Sequence, residues 1–109
     1  MTASNLVSLT VFDHTLSFRA DADFAMHLRD LAEEAERRAI LARAENRNDP
    51  HSTAAFLIRA VDTLLGTGTV ARLFPEQSPD VFDLCEILCE VTNAFHAYRQ
   101  RRMSRLFYG

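Results

Sequence analysis

Between Leu6 and Arg19 the chain holds two short runs in which apolar and polar residues alternate. Leu9 and Val11 alternate with Ser8 and Thr10, and then Leu16 and Phe18 alternate with Thr15 and Ser17. A period of two puts one set of side chains on one face, so the pattern predicts a β-hairpin over residues 6–19. Asp13-His14 stands between the two runs as the expected turn. Two strands alone are marginally stable in water, so the apolar face of this hairpin must rest on helices.

After residue 20 the period changes to that of a helix. Asp21 or Asp23 can cap a helix start, accepting hydrogen bonds from free N–H groups and matching the positive end of the helix dipole. Phe24, Leu28, Leu31, Ala35, Ala39 and Ala42 then recur at steps of four and three. They form one amphipathic stripe that shrinks to alanine. The far end of this helix must therefore either approach a neighbour closely or bury little. Its other faces are charged, with Glu33–Arg37 and Glu34–Arg38 at the i,i+4 spacing of ion pairs.

The polar stretch ENRNDP, residues 45–50, breaks the pattern. Asp49 fits a cap with Pro50 in the first helical position. A second helix follows, with Phe56, Leu57, Ala60, Val61, Leu64 and Leu65 along one broad face, and Gly66 ends it. Val70–Phe74 reads as a single helical turn closed by Pro75, and Ser78-Pro79 as the start of a last helix running from about 79 to about 104. Its stripe is Val81, Leu84, Cys85, Leu88, Val91, Thr92, Phe95 and Tyr98, broadened by Phe82, Ile87, Cys89 and Ala94. A helix apolar on more than one side is central to a core or pressed against a partner. The expected fold is mainly α with a small N-terminal β-hairpin (α+β), with three principal helices and one short helical turn. Residues 1–98 are expected to form a single domain, with 99–109 as a tail.

Charge sharpens that division. Residues 1–98 hold all 15 acids against 8 arginines, a formal −7, whereas residues 99–109 hold 4 arginines and no acid, +4. The 109 residues suffice for one core and leave no room for a separate catalytic lobe. MTASNLVSLT at the start lacks the basic and long apolar regions of a secretion signal. No apolar run approaches the ~20 residues that cross a bilayer. A cytoplasmic setting with both cysteines reduced is therefore expected, and no membrane contact.

Candidate chemistry is sparse. Gly66-Thr67-Gly68-Thr69 invites comparison with phosphate loops, but these glycines follow a helix and the chain contains no lysine, so a structural turn is expected. Cys85 and Cys89 lie one helical turn apart with no histidine at ligand spacing, which favours core thiols over a metal site. His14, His27, His51 and His96 are scattered, and none has a nucleophile or carboxylate at a telling spacing. No catalytic residue, metal or cofactor is expected, and the chain reads as a non-enzyme. What remains is interface chemistry. Phe82, Phe95, Tyr98, Arg99, Arg102, Leu106 and Phe107 combine aromatic, aliphatic and guanidinium groups of the kind enriched at protein contacts. The competing expectation is a frayed helix end whose aromatics cover the domain's own core. Nucleic-acid binding would need a larger basic surface than four arginines beside an acidic body.

The order of these features resembles a group of small prophage proteins associated with phage tail assembly chaperones. The resemblance lies in the hairpin that runs into the acidic-capped helix (Leu16–Phe24), the helix ending in a glycine turn with a short apolar turn behind it (Ala60–Thr69, then Arg72-Leu73-Phe74), and the long closing helix from Asp83. It spans residues 6–98. It implies a non-enzymatic helper that coats a tape-measure protein, recruits tail-tube subunits and acts as a homo-oligomer in the host cytoplasm. The alternative reading is a small dimeric adaptor or regulator whose arginine-rich tail contacts a partner or nucleic acid.

Overall fold

The computed structural model describes residues 5–46 and 49–108, the last of these by its backbone alone. Arg47 and Asn48 of the expected break, the first four residues and Gly109 lie outside the described residues. The order of elements is β1 (Leu6–Val11), β2 (His14–Arg19), α1 (Ala22–Ala44), α2 (Pro50–Leu65), α3 (Thr69–Leu73) and α4 (Val81–Tyr108). This is the expected α+β arrangement, mainly α, with three long helices and one short one.

β1 and β2 pair antiparallel, with Val7 opposite Phe18 and Leu9 opposite Leu16. The turn falls on Phe12-Asp13, not Asp13-His14, because Val11 pairs with His14. The two registers differ by two residues, which leaves the same side chains facing inward, so alternation alone could not separate them. Phe12 and Asp13 both adopt positive φ, 51° and 64°. That is the geometry of a hairpin turn whose twist matches the strands, reached here without glycine. The Phe12 ring meets Phe74 edge-on at 5.6 Å, tying the turn to the end of α3. At the open end, the Ala20 N–H donates to the Asn5 carbonyl at 2.8 Å.

The helix starts follow from their caps. The Asp21 carboxylate accepts from the Phe24 N–H at 2.9 Å and starts α1. The Asp49 carboxylate accepts from the N–H groups of His51 and Ser52, with Pro50 first in α2 as expected. α4 starts two residues later than Ser78-Pro79 suggests. Asp80 accepts from the Asp83 N–H at 2.8 Å, and the Asp83 carboxylate accepts in return from the Asp80 N–H at 3.2 Å. This reciprocal pair satisfies donors that Ser78 would otherwise have to reach, and so it fixes the start at Val81.

The core lies where the hairpin, α2, α3 and the first two-thirds of α4 meet. Val61, Leu84, Ile87 and Val91 are fully buried at its centre. Phe18, Phe24 and Phe95 join three elements in one aromatic cluster: Phe18 stacks on Phe24 at 4.3 Å, and Phe24 meets Phe95 at 5.2 Å. Burying each such ring stabilises the fold by about 1.5–3 kcal/mol. α1 contributes one buried residue, Phe24. Ala35 and Ala39 are exposed, so the alanine end of its stripe buries little. The molecule measures 51 × 34 × 18 Å, with a radius of gyration of 15.7 Å. A compact domain of this length has about 13 Å. The excess comes from long helices that extend past the core.

Candidate functional site

The glycine turn is held from within. Gly66 and Gly68 take positive φ, 113° and 88°, which a side chain would strain. The Asp62 carboxylate accepts from the Gly68 N–H at 3.2 Å and from the Val70 N–H at 3.1 Å. An acid of the chain itself thus occupies the donors that a phosphate would need, and the turn is structural as expected. The four histidines stand on four separate elements, β2, α1, α2 and α4. Among the described residues, no three His, Cys, Asp or Glu side chains gather as a metal site would require. No helix among them is long and apolar enough to cross a membrane.

α4 carries the residues singled out for partner contact, and the structure divides them. Phe95 is only 3% exposed and packs on Phe24, so most of its ring belongs to the core. Tyr98 is half-buried, and its hydroxyl accepts from Arg102 Nη1 at 2.9 Å. Arg99 lies over the Phe95 ring at 5.8 Å, and Arg102 over the Tyr98 ring at 5.9 Å. Both guanidinium groups are thereby anchored along the helix while remaining exposed. Phe82, Leu106 and Phe107 are 83%, 74% and 69% exposed. Leu106 and Phe107 therefore do not cover the domain's own core. α4 continues unbroken through Tyr108, about 42 Å in all at 1.5 Å per residue, and residues 99–108 form its outer end.

The cysteines correct an expectation. Cys85 and Cys89 are both free thiols and both exposed. The buried line of α4 runs Leu84, Ile87, Val91, Phe95. At 100° per residue this line turns Cys85 and Cys89 between a quarter and two-fifths of the way round the helix. Ile87, which the sequence reading treated as an addition to the stripe, is a centre of the core.

Between α1 and α4 the surface forms a groove of about 630 Å³. It is walled by Ala22, Ala25, Leu28 and Ala32 on one side and by Thr92 and Phe95 on the other, with Arg29 and Arg99 among its lining residues. A further hollow of about 290 Å³ lies where Ala35, Ala39 and Ala42 of α1 face Leu57, Val81 and Cys85. Beyond the first groove, His96, Gln100, Met103 and Phe107 continue along α4. The alanine repeat of α1 was legible in the sequence as a stripe. That it forms the wall of an open groove was not, because the spacing does not say which neighbour stops short of it. Comparison with family models, with curated proteins and with solved structures finds no match.

Proposed function

We propose that this chain is a non-enzymatic protein-binding module of the tail-assembly-chaperone kind, which holds an apolar helical segment of a client in the groove between α1 and α4. The supporting observation is the alanine wall. Ala22, Ala25, Ala32, Ala35 and Ala39 lie along one side of α1 beside open space. Side chains this small let another helix approach closely, at or below the usual 8–10 Å between helix axes. The exposed Met26 adds to the apolar lining of the groove. Arg29 and Arg99 supply charge that would select acidic residues flanking the client's apolar face.

In this reading the client is a long tape-measure-like protein whose apolar helices need cover during assembly, with tail-tube subunits recruited afterwards. Many copies would act along one client in the host cytoplasm, gaining avidity from weak contacts. The work is reversible shielding, and it requires no bond to be made or broken. The test is whether this chain keeps an apolar helical tape-measure fragment soluble, and whether Ala32→Arg, a change at an exposed position inside the groove, removes that effect while leaving the fold intact. Unchanged protection by the Ala32→Arg variant would contradict the reading.

A further inference from the structure

We propose that α4 pairs antiparallel with α4 of a second copy of this chain, about a two-fold axis at the level of Ala94 and Phe95. The face concerned is opposite the one that enters the core. Phe82, Cys89, Asn93, Gln100 and Phe107 are all exposed there and follow one another at steps of seven, four, seven and seven. That spacing makes a straight seam along a helix. The seam has a large aromatic at each end and polar residues at its centre. Reversing its direction therefore matches its ends: Phe82 meets the partner's Phe107, Cys89 meets the partner's Gln100, and Asn93 meets the partner's His96, which lies one flank over from the seam.

Charge selects this direction. Within α4, residues 81–98 contain Asp83, Glu86 and Glu90 and no arginine, whereas residues 99–108 contain four arginines and no acid. Antiparallel pairing lays the acidic half of each helix along the basic half of the other. On the shared flank of the seam, Glu86 and Glu90 bracket the partner's Arg101. Parallel pairing would set acid beside acid and arginine beside arginine, and would also align the two helix dipoles unfavourably. Within one chain, among the described residues, none of these acids is seen paired with one of these arginines. Among the described residues the ion pair that closes is Glu34–Arg38, on α1, at 3.8 Å. A two-fold arrangement is closed and self-complementary, so it yields a dimer and not a fibre.

This interface adds to the client reading without resting on it: Asn93, Gln100 and Phe82 lie outside the groove that faces α1, and His96 borders both. The register can be tested with the thiols already present. The native cysteines Cys89 and Cys85 face the partner's Gln100 and the partner's Ser104, so mild oxidation of the wild-type protein is expected to give no disulfide between chains. Gln100→Cys is expected to give one, and Cys89→Ser in that background to remove it. Sedimentation up to about 0.1 mM, which populates micromolar and tighter dimers, is expected to show a dimer. Glu86→Arg with Glu90→Arg should weaken it about tenfold or more, and adding Arg101→Glu should restore it. A monomer throughout that range, a Cys89–Cys89 link in the wild type, or a Gln100→Cys variant that fails to cross-link would overturn the proposal. A wild-type chain that forms this dimer but protects no client would count against the groove reading alone.

Discussion

Ile87 and Leu41 are both branched aliphatic residues in the interior of long helices, yet the first is fully buried and the second is 58% exposed. The regions around them differ in the same way. Ile87 sits where β1, α2 and α4 converge, and every large apolar side chain of that stretch of α4 except Phe82 finds partners within the chain. Leu41 belongs to the second half of α1, whose inward side chains have shrunk to Ala35, Ala39 and Ala42, while Ile40 and Leu41 point outward. The last turns of α4 repeat the pattern with Met103, Leu106 and Phe107. One region buries its apolar side chains against one another, and the other leaves space beside alanine and apolar groups in water. Stability should depend on the first and recognition on the second.

Substitutions can break that contrast, and the largest effect is expected in the body. Ile87→Ala should cost about 2–5 kcal/mol, since it opens a cavity among residues with no freedom to collapse, and denaturant unfolding measures it directly. Asp62→Ala removes the acceptor for two backbone donors at the start of α3. It should cost about 1–3 kcal/mol in the same assay. Asp13→Gly should act in the other direction. It relieves the positive φ at the hairpin turn and gains about 0.5–1 kcal/mol, seen as a higher unfolding midpoint. Leu41→Ser with Ile40→Ser should change stability least, within about 0.5 kcal/mol, while weakening client protection.

Much of the body was legible in the sequence because its signals are local. Asp21 and Asp49 act as caps where acid precedes a helical repeat, and Gly66 ends α2 where only glycine takes the needed φ comfortably. The turn position was not legible, since both registers keep Leu16 and Phe18 inward. Nor was the face of α4 that enters the core. An apolar surface on several sides gives the period but not the phase, so Cys85 was placed inside and Ile87 treated as secondary. The candidate site depended on that phase. Phe82, Leu106 and Phe107 proved exposed and Phe95 did not, because only the packing of the hairpin and α2 against α4 decides which stripe is covered.

In the proposed function, the uncovered surface of α1 and α4 is shaped to receive another polypeptide. Backbone hydrogen exchange, followed with and without an apolar helical tape-measure fragment at low protein concentration, tests this residue by residue. The prediction is slowed exchange in α1 from Ala32 to Ala44 and in α4 from Thr92 to Phe107, with the amides around Val61 and Ile87 unchanged. Unaltered exchange along both of those segments, or protection confined to the hairpin, would contradict it.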